Sequence, residues 1–108
     1  MVIREVLHVT IAEKNIEHYL VDRAKDYGGY ALKWVCPSWN GVPDRIVILP
    51  GGKIGFIETK SPGKTLKPQQ ERWRDRLRRF GFLAYKADSK EDIDKFLKEI
   101  NEGRIQKQ

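Results

Sequence analysis

The sequence predicts a single α/β domain (α+β in the sense of a mixed sheet), with helices packed against a β-sheet. Segments with apolar residues at helical spacing alternate along the chain with short runs of β-branched and aromatic residues. Two of these runs are apolar on both faces, which indicates strands that are covered on each side. The expected order of elements is therefore α-β-β-β-α-β-α.

The first predicted element is a helix over residues 11–27. Thr10 and Glu13 have the spacing of a capping box, and apolar residues recur on one face of the following segment. Two glycines, residues 28–29, are expected to end this helix. Residues 1–10 are expected to form either an N-terminal arm or an edge strand.

Three strands are predicted next, over residues 30–35, 44–49 and 54–60. Each is rich in β-branched, aromatic or other apolar residues. A loop over residues 36–43 separates the first two strands. The sequence Pro-Gly-Gly at residues 50–52 is typical of a turn and predicts a hairpin between the second and third strands.

The C-terminal part predicts a helix, a strand and a second helix. Pro68 suits the first turn of a helix over residues 68–80. A fourth strand is expected over residues 82–87. Ser89 has the position of an N-cap for a helix that extends to about residue 100. Residues 101–108 are expected to form a frayed tail.

Length and cysteine content limit the classes of protein. A chain of 108 residues with 40% hydrophobic residues is sufficient for one compact domain, residues 1–108, and too short for a second. One cysteine, Cys36, excludes an intrachain disulfide and a four-cysteine zinc site. No apolar run approaches the ~20 residues that span a bilayer. We therefore expect a soluble protein of the reducing cytoplasm, a host cytoplasm if the protein is viral.

The charge balance favours a polyanionic partner. Lysine and arginine outnumber aspartate and glutamate by 21 to 15, which gives a formal net charge of +6. A basic surface raises the local concentration of phosphate-bearing molecules.

The residues with the clearest chemical meaning are Asp44, Glu58 and Lys60. Glu58 and Lys60 are two residues apart in a predicted strand, so their side chains share a face. A three-residue turn at residues 50–52 would set Asp44 opposite Glu58, whereas a two-residue turn would place them on opposite faces unless a bulge intervenes. With the three-residue turn, all three side chains converge at one end of the hairpin.

Two carboxylates and a lysine suit metal-dependent hydrolysis of a phosphodiester. Asp44 and Glu58 would supply hard oxygen ligands for Mg²⁺ or Mn²⁺, and the backbone carbonyl of Thr59 is a candidate third ligand. Lys60 would orient the attacking water or stabilise developing charge. An isolated Glu-x-Lys is more often a salt bridge, and it is the acid one strand upstream that favours a catalytic site.

The motif Gly41-Val-Pro-Asp-Arg-Ile, followed by Glu58-Thr-Lys and by Gln70, resembles the PD-(D/E)xK nuclease superfamily. The residues of these motifs and their order are similar to those of the VRR-NUC (virus-type replication-repair nuclease) family, over roughly residues 13–93. The resemblance implies a restriction-endonuclease-like core and a metal-dependent endonuclease that acts on DNA. Stand-alone members resemble Holliday-junction resolvases, which implies a homodimer that acts on branched DNA.

The resemblance also implies an additional acid on the first helix. Glu13 lies on the predicted sheet-facing side and is favoured over Glu17, which lies at the rim of that face. Capping with Thr10 would also account for Glu13. Gln70 is expected to point towards the sheet and to bind Lys60 or a phosphate; the alternative is a solvent-exposed amide at the start of the helix.

Several basic and aromatic residues near these motifs are candidate DNA contacts. They are Lys33, Trp39, Arg45, Lys64, Lys67, Arg72 and Arg76. The cations would contact phosphates without reading the sequence of the DNA. Trp39 could stack on an unpaired base or fill a local core. An alternative function for the whole chain is a non-catalytic basic DNA-binding module of a replication or repair complex.

Overall fold

The computed structural model describes residues 11–103, which contain three helices and four strands. The helices are α1 (Ile11–Asp26), α2 (Pro68–Arg79) and α3 (Lys90–Asn101); the strands are β1 (Tyr30–Lys33), β2 (Arg45–Leu49), β3 (Lys53–Thr59) and β4 (Leu83–Ala87). The order α-β-β-β-α-β-α is confirmed, and each element begins and ends within two residues of its predicted bounds. The predictions for residues 1–10 and for residues 104–108 lie outside the described residues.

The four strands form one mixed sheet in the order β1-β2-β3-β4. β1 pairs with β2, and β2 with β3, in antiparallel orientation, whereas β4 runs parallel to β3. Parallel neighbours require a crossover connection, and α2 provides it between β3 and β4. The mixed α/β sheet predicted from the sequence is therefore confirmed.

Helices cover both faces of the sheet because the strand residues alternate between two apolar clusters. On one face, α1 and α3 pack against residues such as Val47 and Ile57, which are fully buried. On the other face, Leu77 of α2 packs against Phe56 and Ala84. This explains why β2 and β3 are apolar on both faces.

The turn between β2 and β3 sets the register on which the candidate site depends. Leu49 pairs with Lys53 across the three residues 50–52, and Arg45 pairs with Ile57. Both glycines of the turn, Gly51 and Gly52, have positive φ angles of 89° and 71°, which residues with a Cβ rarely adopt. Extended by one residue, this register sets residue 44 opposite residue 58, as the three-residue turn predicts.

No helix within residues 11–103 has the length and apolar character needed to cross a lipid bilayer.

Candidate active site

Three elements bring acidic and basic side chains together at one end of the sheet. Asp44 precedes β2, Glu58 lies near the end of β3, and Lys60 follows β3. The charge of Glu58 interacts with those of Asp44, Lys60 and Glu13, the last on α1. The structure thus places Asp44, Glu58 and Lys60 near the two glutamates of α1, Glu13 and Glu17.

The side chain of Asp44 is held by Thr59. Its Oδ2 accepts a hydrogen bond from the Thr59 hydroxyl at 2.8 Å, and its Oδ1 accepts one from the Thr59 backbone N–H at 3.2 Å. The Asp44 carbonyl accepts a further bond from the Trp34 N–H at 2.9 Å. Thr59 is fully buried. These contacts fix the Asp44 carboxylate relative to the ends of β1 and β3.

Glu58 and Lys60 form a close, largely buried pair. The distance between Lys60 Nζ and Glu58 Oε2 is 4.0 Å, and the side chains are only 15% and 14% exposed. Burial raises the pKa of Glu58 to about 8; the negative charge of Asp44 adds to the rise, whereas Lys60 opposes it. One lysine therefore compensates only part of the charge of this carboxylate.

The pKa of Asp44 is raised as well. Burial raises its pKa to about 6, although the hydrogen bonds from Thr59 lower it, and the nearby charge of Glu17 raises it further. Two neighbouring carboxylates thus have pKa values raised mainly by burial, and the nearby charges of Arg45 and Lys60 offset only part of that rise. Such perturbed pairs are typical of functional sites.

Both candidate acids on α1, Glu13 and Glu17, lie near charged residues of this site. Glu13 interacts with the charges of Glu17 and Lys60, and burial raises its pKa. Glu17 forms an ion pair with Arg45, with Oε2 and Nη2 separated by 3.3 Å. The preference for Glu13 over Glu17 therefore stays a prediction, because each glutamate lies near a different member of the motif: Glu13 near Lys60 and Glu17 near Asp44.

Arg45 lies in the interior of this cluster. Besides its pairing with Glu17, its Nη1 donates to the Ala31 carbonyl at 3.2 Å, and the side chain is 14% exposed. Among the described residues, its Nε is buried without a hydrogen-bond partner. This placement differs from that expected of a DNA contact: a guanidinium buried against a carboxylate neutralises that acid and is not available to a phosphate.

The side chain of Gln70 caps the N-terminus of α2. Its Oε1 accepts a hydrogen bond from the Lys67 backbone N–H at 2.8 Å, which satisfies one of the donors left free at a helix N-terminus. Within residues 11–103 it makes no hydrogen bond to Lys60, in contrast to the contact expected from the sequence. The amide nitrogen of Gln70 still offers two donors.

The remaining predicted DNA contacts lie mainly on the surface. The exposed side chains are those of Lys33, Trp39, Lys64, Lys67 and Arg72. Arg76 is half-buried, and its guanidinium lies over the ring of Trp73 at 5.2 Å from the ring centroid.

The donor set at the site fits a hard divalent cation. Within residues 11–103, no three or more His, Cys, Asp or Glu side chains form a complete metal-binding group. Mg²⁺, however, commonly uses one or two carboxylates and keeps several waters. Asp44 and Glu58, whose charges interact with each other, offer two carboxylates of that kind.

Sequence reasoning missed the hydroxyl of Thr59 and the internal role of Arg45. A signal for each exists in the sequence. Thr59 lies on the core-facing side of a largely apolar strand, where a buried hydroxyl needs a partner. Arg45 lies in a similarly apolar strand, where a buried cation needs an acid. Neither signal identifies the partner: that of Thr59 depends on the register of β2 and β3, and that of Arg45 on how α1 packs on β2.

Replacement of Thr59 with valine should raise the pKa of Asp44 above its value of about 6, because the hydroxyl bond that favours the carboxylate is lost. Thr59→Ser keeps the hydroxyl and is the matched control. The measurement is a carbon-13 NMR titration of the Asp44 carboxyl group in EDTA. Identical titration of Asp44 in the valine variant and the wild type would contradict this role of Thr59.

Replacement of Glu58 with glutamine should stabilise the metal-free protein at high pH. Because the folded-state pKa is raised, the stability contributed by the protonated carboxyl is present below about pH 4.5 and lost as the pH rises through about 8. Glutamine mimics the protonated form, so the free energy of unfolding of Glu58→Gln should exceed that of wild type by roughly 4 kcal/mol at pH 8 and by little at pH 4.5.

The measurement is urea unfolding in EDTA at both pH values. Glu91→Gln, at an exposed position of α3, is the control and should stay within about 0.5 kcal/mol of wild type. If the free energy of unfolding had the same pH dependence in wild type and Glu58→Gln, Glu58 would not be the group that destabilises the protein at high pH.

Comparison with known proteins identifies the family. The family model of the VRR-NUC domain matches residues 11–91. The chain is 43% identical over 91 residues to "Putative nuclease p44" of Acyrthosiphon pisum secondary endosymbiont phage 1, a match that covers 84% of this chain and 97% of the phage protein. A solved structure described as "VRR_NUC domain" has a TM-score of 0.76 and 30% identity, over 82% of this chain and 97% of the other. The chain therefore belongs to the VRR-NUC family of nuclease domains.

Proposed function

We propose that this nuclease domain is a Mg²⁺- or Mn²⁺-dependent endodeoxyribonuclease with its active centre at Asp44, Glu58 and Lys60. The observation that carries this proposal is the convergence of two carboxylates of raised pKa with a lysine, whose Nζ lies 4.0 Å from Glu58 Oε2. A structural salt bridge needs only one acid for one lysine. The second acid, held in place by Thr59, favours a site that binds an additional cation.

Asp44 and Glu58 would hold the metal, with the carbonyl of Thr59 as a further candidate ligand and Glu13 or Glu17 completing the acidic set. A bound Mg²⁺ or Mn²⁺ supplies a Lewis acid that polarises the phosphodiester and lowers the pKa of water. Thr59 keeps the Asp44 carboxylate in one orientation, which is the role that neighbouring hydrogen-bond donors have around metal ligands.

Lys60 supplies a positive charge beside these acids. In the proposed reaction, water attacks phosphorus, one P–O ester bond breaks, and the leaving oxygen takes up a proton. The Lys60 ammonium orients the water or stabilises the charge that develops on the phosphoryl oxygens. Gln70 would support Lys60 or a bound phosphate; a contact with phosphate would use its amide nitrogen, because its oxygen accepts from the Lys67 N–H.

The exposed cations support DNA as the substrate. Lys64 and Lys67 lie in the segment that follows Lys60, and Arg72 lies on α2. Contacts of these side chains with phosphates would hold the duplex over the site without sequence selection. Lys33, which pairs with Arg45 in the sheet, is a further exposed cation on β1. Arg45 itself is assigned to the acidic cluster because Glu17 holds it.

We further propose that the domain acts on branched DNA as a symmetric homodimer. A domain of 108 residues covers little DNA and carries one proposed active centre. Cleavage of two strands at a junction requires two centres, and a two-fold dimer supplies them with related orientations.

Replacement of Lys60 with alanine should lower the rate of DNA cleavage by about 100-fold or more while DNA binding is retained, because a charge used mainly in the transition state is lost. The assay is cleavage of end-labelled DNA with Mn²⁺, with parallel reactions in EDTA. Lys98→Ala, at an exposed position of α3, is the control and should cleave as wild type does.

Cleavage that persists in EDTA or in Lys60→Ala would contradict the proposed mechanism. DNA binding by the wild type without cleavage under any divalent cation would instead favour a non-catalytic DNA-binding module.

On substrates of different shape, the wild type should cleave a four-way junction at least about tenfold faster than linear duplex of the same sequence. Sedimentation should give a species of about twice the 12.6 kDa chain mass. The reason is that paired centres match the two-fold geometry of a junction. A monomer that leaves four-way junctions, flaps and nicked duplex intact would refute branched-DNA specificity.

A further inference from the structure

Trp39 exposes most of its side chain to solvent beside the candidate active site. It is 60% exposed, although tryptophan is highly buried on average in proteins. It lies in the β1–β2 loop, five residues before Asp44. The structure thus rules out the local core position that the sequence left open for this residue.

The loop that carries Trp39 is anchored on both sides. The Trp39 N–H donates to the Cys36 carbonyl at 3.2 Å. At Gly41, which has a φ of +89°, an added Cβ would lie 2.7 Å from the backbone of Gln69, so the loop approaches the first turn of α2 closely. The loop that carries Trp39 is therefore packed against the first turn of α2.

The indole of Trp39 rests on a second aromatic residue. Its ring lies edge-to-face with that of Trp73 on α2, with centroids 6.0 Å apart and an interplanar angle of 83°. The Arg76 guanidinium lies over the Trp73 ring at 5.2 Å. This arrangement supports an exposed aromatic surface and places a cation next to it.

From these observations we propose that Trp39 is a stacking site for an unpaired nucleobase and that it selects DNA in which a base is unpaired close to the scissile phosphate. The inference rests on the proposed function, since it takes DNA as the substrate. Beyond that function, it names the feature of the DNA that the protein recognises, an unpaired base.

The chemistry of nucleic acids favours this occupant over an apolar protein segment. Base–aromatic stacking is tolerant of sequence, because every base offers a π face. A base inside a duplex is already stacked on both sides, so only an unpaired base gains by contact with Trp39. Arg76 and the exposed Arg72, one helical turn apart on α2, suit the phosphates that flank such a base and do not suit an apolar partner.

The test uses the Lys60→Ala protein in EDTA, so that binding is measured without cleavage. The probes are a duplex with one bulged 2-aminopurine and the fully paired duplex of the same sequence. Lys60→Ala should bind the bulged duplex about tenfold more tightly, which corresponds to one stacked base. Binding should also quench the 2-aminopurine fluorescence.

Trp39→Ala in this background should reduce the preference to within about twofold and abolish the quenching, whereas Trp39→Phe should keep part of both. Phe80→Ala is the matched control, since Phe80 is 74% exposed at the opposite end of α2. It should retain the full preference. Circular dichroism of each variant checks that the fold is kept.

An unchanged preference in Trp39→Ala, or a preference that Phe80→Ala also loses, would overturn the stacking proposal while leaving the nuclease proposal intact. Loss of solvent exposure of Trp39 in a dimer without DNA would overturn it too, because the ring would then belong to a protein interface. Acrylamide quenching of the fluorescence component that Trp39→Phe removes measures that exposure separately from Trp34 and Trp73. Failure of Lys60→Ala to bind either duplex would contradict the proposed function itself.

Discussion

The candidate site depends on the two hydrogen bonds by which Thr59 holds the Asp44 carboxylate. These bonds join the residue before β2 to the last residue of β3, and they form only in the register that the three-residue turn at residues 50–52 imposes. A shift of that register by one residue would turn the side chains of β3 to the opposite faces and separate Asp44 from Glu58. The geometry of a surface turn therefore controls the chemistry at the far end of the hairpin.

The acids at this site reduce the stability of the metal-free fold. The pKa values of Asp44 and Glu58 are raised, which means that their ionised forms are less favourable in the folded protein than in water. Lys60 and Arg45 offset this only in part, since each lowers the pKa of the neighbouring acid by less than burial raises it. Acids whose pKa values are perturbed in this way are typical of functional sites, where stability is lost in favour of activity.

In the proposed nuclease, the elements that hold the acidic residues differ from those that would contact DNA. The sheet and α1 hold the acidic centre, whereas α2 and the loop before Asp44 present cations and an exposed indole. Gly41 lets that loop approach Gln69 closely, and Trp73 supports Trp39. The loop and α2, which together would contact DNA, are thereby held against each other, and the same loop leads directly into Asp44.

The sequence by itself determined the order of the elements, because periodicity, turn residues and strand alternation are local properties of the chain. It predicted the convergence of Asp44, Glu58 and Lys60 only for a three-residue turn, and the structure has that turn. Only the tertiary structure decided the partners of the charged and polar side chains. Arg45 has the residue type of a phosphate contact, but the packing of α1 on the sheet buries it against an acid. Hydrogen bonds and ion pairs between distant segments depend on how helices pack on the sheet, and that information does not lie in any local stretch of sequence.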